Sequence, residues 1–308
     1  MFKKKLLPGL TAVGIYPEGV CVVRVERAGG HEPSVTCFDF RPWEAGGDQG
    51  KLLTRLAAQY HLDRARCTTL LEMSDYSLLL TEAPDVPSEE LRSALRWRIK
   101  DLIDFHINDA TMDVFDLPGE KVTGRARPMY AVAARSTAIQ KRVDLLTGAG
   151  INLDVIDIPE LAQRNLAALL PEDTQGMVLL SFAQASGLLT ITRQGELYLS
   201  RSMDTGLESL TRSSDPAAFF DRVVLEVQRS LDYYDSHFRQ APISNVVLTP
   251  AAREVPGLAE HLTANLNGTV SVMDLSRLLT VVQDVPPAQQ ALCLNTLGAA
   301  LRVEEKAL

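Results

Sequence analysis

MVLLSFAQASGLLTITRQGELYLSRSM, residues 177–203, decides the fold, because its pattern echoes TAVGIYPEGVCVVRVERAGGHEPSVTCFDF, residues 11–40. Each stretch holds three runs rich in β-branched and apolar residues, bounded by Gly, Pro or charge. Such runs read as short strands, and three in succession with brief connections make a meander. Gly29 and Gly30 mark one connection in the first copy, and Gly195 marks a tight turn in the second. Both meanders are followed by helical periodicity, which predicts a duplicated architecture with a cleft between two lobes. A chain of 308 residues suits this, since a single core rarely grows past ~250–300 residues.

Outward from the first meander, KLLTRLAAQYHL places Leu52, Leu53, Leu56 and Ala57 at helical spacing, and CTTLLEM reads as the next strand. From Tyr76 to Pro159 a separate unit is predicted. SLLLTEAP is a strand, and Ser88 is a candidate cap for a helix carrying Leu91, Leu95, Ile99, Leu102 and Ile103. TMDVFDL and MYAVAA are strands around an exposed loop, IQKRVDLLTGAG is a helix closed by Gly148 and Gly150, and INLDVIDIP is a strand. The order β-α-β-β-α-β is that of a split βαβ subdomain. PELAQRNLAALLPE is a further helix. After the second meander, Asp215 and Pro216 open a long helix through Phe220, Val227 and Tyr234. The alternating strands and helices that follow call for a mainly parallel sheet. The predicted fold is α/β, with a first lobe in 1–75 and 160–175, an inserted subdomain in 76–159 and a second lobe in 176–308.

Net charge −8 leaves no basic face for a nucleic acid. Cys21, Cys37, Cys67 and Cys293 lie far apart without ligand spacing, so no structural zinc is expected, and a large chain needs no disulfides. Reduced thiols and the absence of a long apolar run predict a cytoplasmic protein. Lys3, Lys4 and Lys5 beside Phe2 and Leu6 leave two readings open, a weak hold on an anionic bilayer or a solvated terminus.

Three segments carry a resemblance. ALRWRIKDLIDFHINDATMDVFDL (94–117) has Trp97, Ile103, Phe105, Asp113 and Asp116; YAVAARSTAIQKRVDLLTGAGINLDVIDIPELAQRNLAA (130–168) leads through its strand, helix and Gly turn; VVLEVQRSLDYYDSHF (223–238) contains Arg229, Ser230, Leu231 and Tyr233. In these the chain resembles the PilM family of actin-like proteins, and within it the MshI type serving the mannose-sensitive haemagglutinin (MSHA) pilus. The resemblance spans about 12–302. It implies an actin-like fold of ribonuclease H-like duplicated lobes with an inserted subdomain. It also implies a cytosolic role in type IV pilus assembly, with the cytosolic N-terminal tail of a PilN-like or MshJ-like inner-membrane protein as partner. The cytosolic part of a type II secretion platform protein is a rival, disfavoured because such proteins continue into a membrane helix.

ATP binding in this fold rests on two hairpin loops of Asp-x-Gly type, whose amides hold phosphates while the acid positions magnesium. In GIYPEGV, Tyr16 and Pro17 fill the middle and the acid is replaced by Ile15 or displaced to Glu18; Pro17 also removes an amide donor. In LLSFAQASG the expected acid is Ser181, and VVLTP offers Thr249 and Pro250 where adenosine loops use paired glycines. Gly14, Gly19, Ser186 and Gly187 are the residual candidates for a nucleotide cradle, or they serve only tight hairpins. No cofactor and no catalytic residue is expected, with an active ATPase using ATP and magnesium as the alternative. Trp97 lies ~200° from Leu95 at 100° per residue. It is a candidate partner-binding residue, unless the subdomain packs that face on the main lobe. Lys121, Arg125 and Arg127 form a basic loop.

Overall fold

A computed structural model of the chain describes residues 6–27, 32–87, 90–118, 127–212, 216–281 and 285–303. The connection through Gly29 and Gly30, the caps read at Ser88 and Asp215, the loop residues Lys121 and Arg125, and the lysines at 3–5 lie outside these.

The first meander forms as read: β1 (Leu10–Tyr16), β2 (Gly19–Glu26) and β3 (Ser34–Pro42) are antiparallel neighbours. Helix α1 (Gln49–Gln59) is capped by the Asp48 carboxylate, which accepts from the Gly50 and Lys51 amides, and buries Leu52, Leu53, Leu56 and Ala57. It leads into β4 (Arg66–Leu70), parallel to β1.

The insert follows: β5 (Tyr76–Glu82), α2 (Leu91–Ile99), β6 (Ala110–Asp116) and β7 (Pro128–Arg135), a three-stranded sheet of order β5-β7-β6 under α2. Leu91, Leu95 and Ile99 are buried, but the helix ends at Ile99 and leaves Leu102 exposed. Next come α3 (Ser136–Gly148), β8 (Leu153–Asp157) and α4 (Pro159–Ala167), whose Pro159 sits in the first turn.

The element order is therefore the predicted β-α-β-β-α-β, yet its last two members leave the insert. Strand β8 pairs in parallel with β4, and the end of α3 buries Leu146 in one cluster with Leu53 and Leu56 of α1. Parallel strands need a crossover between them, and the insert with α3 supplies it for β4 and β8. The inserted subdomain is thus shorter than 76–159.

In the second half, β9 (Met177–Phe182), β10 (Gly187–Arg193) and β11 (Glu196–Met203) repeat the meander. The β10–β11 turn places Gln194 at φ 53° and Gly195 at φ 76°, the two-residue geometry that follows strand twist. Short α5 (Leu207–Arg212) precedes α6 (Ala217–His237), then β12 (Asn245–Leu248), α7 (Leu258–Asn265) and β13 (Thr269–Val272). The sheet order is β11-β10-β9-β12-β13, parallel only where β12 meets β9 and β13. It is mixed, not mainly parallel, because the meander supplies three of its five strands.

The end of the chain crosses back. After α8 (Leu275–Leu278), β14 (Thr280–Val281) joins β3, giving the first sheet the order β14-β3-β2-β1-β4-β8. After α9 (Pro287–Leu292), α10 (Leu294–Ala300) buries Leu294, Leu297, Ala299 and Ala300 in the core shared with β1, β2 and α4. Assigning all of 176–308 to the second lobe is therefore corrected: the apolar face of α10 finds its partner on the first. Cys21 of β2 and Cys293 beside α10 form a disulfide across 272 residues. This overturns the expectation of four thiols, and the argument from reduced cysteines no longer applies to that pair. No helix among the described residues is long and apolar enough to cross a membrane.

Candidate functional site

The expected nucleotide-binding residues lie at the loops between the lobes, and a groove lies beside the insert.

At the first loop, β1 and β2 turn through Pro17 and Glu18 alone, with Tyr16 opposite Gly19. Tyr16 folds back rather than leaving space: its hydroxyl meets Thr296 Oγ1 of α10 at 2.7 Å, and its carbonyl accepts from Trp43 Nε1 at 2.8 Å. A Cβ on Gly14 would lie 2.0 Å from Thr296 Oγ1 and 2.6 Å from the Tyr16 ring. One on Gly19 would lie 2.2 Å from the Arg41 carbonyl. Both glycines are thus accounted for by close packing inside the protein. Burial pushes the Tyr16 phenol up to about 12, against the hydrogen bond from Thr296, so it is neutral throughout the ordinary pH range.

The second loop is closed in the same manner. The Leu207 and Glu208 amides donate to the Ala183 and Gln184 carbonyls at 2.9 and 2.8 Å, and Ala183 N–H donates to Ser186 O at 2.8 Å. Gly206 lies directly beneath, where a Cβ would come within 2.4 Å of Gln184 O, Ala185 C and Ser186 N. A Cβ on Gly187 would meet Met203 at 2.6 Å. Ser181, at the expected acid position, accepts from the buried Gln163 side chain, whose Oε1 takes the Thr190 hydroxyl at 2.9 Å. In the second loop the Ala183, Leu207 and Glu208 amides bond within the chain, and the expected acid position is held by a neutral network.

A groove of 790 Å³ is bordered by β6, β8, α4 and the start of β11. Its walls hold residues 111–116 on the insert, 154–158 on the first lobe, and Glu196 and Leu197 on the second. Strands β6 and β8 are edge strands, each without a ladder partner on one side among the described residues. Leu117 N–H donates to Pro128 O, so by antiparallel alternation Met112, Val114 and Asp116 turn their backbone groups away from β7. Two outward amides are capped locally: Val114 N–H by Asp113 Oδ1 and Ile158 N–H by Asp157 Oδ1, both 2.9 Å. Local caps of this kind discourage indiscriminate pairing along an edge.

Two buried carboxylates stand at the groove, Asp157 in its wall and Glu160 near it on α4. The Asp157 side chain is 1% exposed and paired with Arg302 at 3.0 Å; Glu160 accepts from the Tyr76 hydroxyl. Desolvation raises both acids, overriding Arg302 in one case and the Tyr76 hydrogen bond in the other. A folded-state pKa above the unfolded value means the native state binds more protons, so stability falls as pH rises through that interval. Glu160→Gln should therefore flatten the decline of stability with pH above the ordinary carboxylate pKa of 4.5. Urea melts at several pH values check this, and an unchanged slope would count against it.

Sequence reading places nothing in this groove by residue, although Asp113, Asp116 and the strand ending at Asp157 belong to the segments that carry the resemblance. Trp97 lies outside it, 71% exposed on α2, so of the two readings left open for that face, packing on the main lobe is excluded. Trp97→Ala should shift stability by no more than about 0.5 kcal/mol, as exposed positions do; thermal melts measure it.

No protein-family model matches the chain, and no curated protein does. Among solved structures it is similar to one described as a PilM–PilN type IV pilus biogenesis complex, with TM-score 0.77, 20% identity and coverage of 95% of this chain and 98% of that one. It is also similar to the cytoplasmic domain of EpsL, an inner membrane component of the type II secretion system of Vibrio cholerae. There the TM-score is 0.51 at 13% identity over 94% of each chain. A Bacteroides thetaiotaomicron protein with an actin-like ATPase fold matches at TM-score 0.51 and 8% identity, covering 92% and 95%. At these identities the likeness is one of fold: the chain has the actin-like fold of duplicated lobes.

Proposed function

We propose that this chain is a cytoplasmic assembly adaptor of a type IV pilus, of the MSHA type, acting at the inner membrane through a partner. In this reading it docks the cytosolic N-terminal tail of a PilN-like or MshJ-like inner-membrane protein in the groove between β6 and β8. The observation that carries the reading is that groove: an extended cavity between two edge strands, on a chain whose fold spans nearly all of a protein solved with its pilus partner. An extended peptide gains main-chain hydrogen bonds from such edges, and the apolar floor sorts its side chains. Trp97, exposed and outside the groove, is proposed as a second contact with the assembly.

The same reading gives the chain no ATP hydrolysis. Phosphoryl transfer depends on charge placed around phosphate and metal, and the support for this reading is that Ser181 and the Ile15–Glu18 turn stand where the two acids are expected. The test has two arms. Synthetic tails of PilN-like and MshJ-like proteins are titrated against the chain, with saturable binding expected. Mg-ATP is titrated calorimetrically, and tight binding with steady phosphate release would favour the actin-like ATPase instead. Absence of binding to every such tail would sink the docking assignment.

A further inference from the structure

Segment 287–302 is fastened to the first lobe near both ends. Towards its start Cys293 is bonded to Cys21 of β2, and at its end Arg302 pairs at 3.0 Å with Asp157 in the wall of the groove. Between these points Thr296 meets Tyr16, the Gly298 carbonyl accepts from Asn165 Nδ2 at 2.9 Å, and the Leu301 carbonyl accepts from Arg27 Nη2 at 3.0 Å. Asn165 lies on α4, whose Leu161 and Arg164 also line the groove. The segment therefore links the disulfide to the docking wall.

Cys21 and Cys293 belong to the core on one face of the first sheet, whereas Cys37 and Cys67 belong to the cluster on the other. Burial pushes the Cys37 and Cys67 thiols up to about 11 and 12, so neither supplies the thiolate that attacks a disulfide. Exchange is thus confined to the pair. Both members of the pair are fully buried, and a reductant reaches them only when the segment opens. Helix α9, which leads into Cys293, buries no residue fully, and elements with few buried contacts open locally at low free energy. In a cytoplasmic chain, where glutathione and thioredoxin keep thiols reduced, a disulfide is ordinarily transient or redox-sensing.

Resting on the docking assignment above, we infer that Cys21 and Cys293 form a thiol–disulfide latch that regulates the groove. The oxidised pair holds 287–302 in place, and with it the contact of Arg302 and Asp157; reduction weakens docking of the tail. The exchange is with a dithiol reductant. One of its thiolates attacks a sulfur of the pair, the S–S bond breaks, and the released cysteine thiolate takes a proton. The reductant's second thiol then displaces the other cysteine from the mixed disulfide. Two cysteine thiols and the reductant's own disulfide result, two electrons having passed to the protein. Freed from Cys21, the segment is held by packing and hydrogen bonds alone, and its open population rises. Each opening withdraws Arg302 from Asp157 and takes one wall from the groove.

The experiment compares the chain oxidised by glutathione disulfide, the chain reduced and kept in dithiothreitol, and the Cys21→Ala/Cys293→Ala variant. Alkylation in denaturant should count two thiols in the oxidised chain and four in the reduced one. A PilN-like tail peptide, followed by fluorescence anisotropy, should bind the reduced chain about tenfold more weakly than the oxidised one. The variant should match the reduced chain with or without dithiothreitol; if it does not fold, the two wild-type states alone decide. By linkage, saturating tail should shift the thiol–disulfide equilibrium in glutathione buffers about tenfold toward the disulfide. Tryptic cleavage after Arg302, which needs no tail, should quicken about tenfold on reduction while the melt stays cooperative. Four thiols in the oxidised chain, equal tail affinity in the two states, or a variant as sensitive to dithiothreitol as wild type would each overturn the inference. So would a reduced chain that no longer melts cooperatively, because the bond would then belong to the fold and not to its regulation. Failure of every tail to bind in both states removes the docking assignment instead, and cleavage at Arg302 that still depends on redox state retains the latch.

Discussion

Gly298→Ala should destabilise the chain by about 3 kcal/mol, the upper range for forcing a methyl into a filled interior. The expectation runs against helix propensity, which favours alanine over glycine by about 1 kcal/mol in a helix. Geometry decides the sign. A Cβ at Gly298 would sit 2.3 Å from the Ala162 carbonyl oxygen and 2.7 Å from its carbon, both backbone atoms of α4. Neither can rotate aside, so α10 must lift, and its carbonyl at Gly298 loses the Asn165 Nδ2 donor now at 2.9 Å. Lifting α10 also weakens the hydrogen bond of Thr296 with Tyr16 and the burial of Leu294 and Leu297. Chemical denaturation under non-reducing conditions, where the disulfide of Cys21 and Cys293 still tethers the segment, measures the loss. A neutral or stabilised variant would mean that α4 and α10 do not cross this closely.

What the sequence discloses follows from what is local. Period-two runs of β-branched residues make both meanders legible, and Gly195 with positive φ marks the second hairpin. The helix of Leu91, Leu95 and Ile99 is equally plain. Sheet membership is not, because nothing in INLDVIDIP says whether it pairs with the strands just before it or returns to β4, more than 80 residues away. The same limit hides the return of α10 and the pairing of Cys21 with Cys293. Gly14 and Gly19 are visible as candidates, but only the folded chain shows that Thr296 and Arg41 occupy the space a side chain there would need. The groove is least legible of all. It exists because β6 and β8 are both edges and lie beside each other, a property of three assembled bodies that leaves no spacing in the chain. The acids of VFD and VID stand out in the sequence, and their exposure to a common cavity does not.

Val155→Trp should reduce binding of a docked tail at least about a hundredfold, equivalent to about 2.7 kcal/mol, with melting unchanged. Val155 is suited to this because it lines the groove on β8 while belonging to none of the buried clusters. Its backbone pairs inward with Thr68 of β4, so the substitution alters the cavity and not the ladder. An indole placed there narrows the space between β6 and β8 and competes with any strand lying along either edge. The effect should fall on dissociation more than on association, since encounter is set by diffusion and charge while residence depends on how well the seated peptide packs and hydrogen-bonds. Surface plasmon resonance with an immobilised PilN-like tail separates the two rates. A variant that melts normally and releases the tail no faster than wild type would place the docking surface elsewhere, and exposed Trp97 on α2 would then be the first position to test.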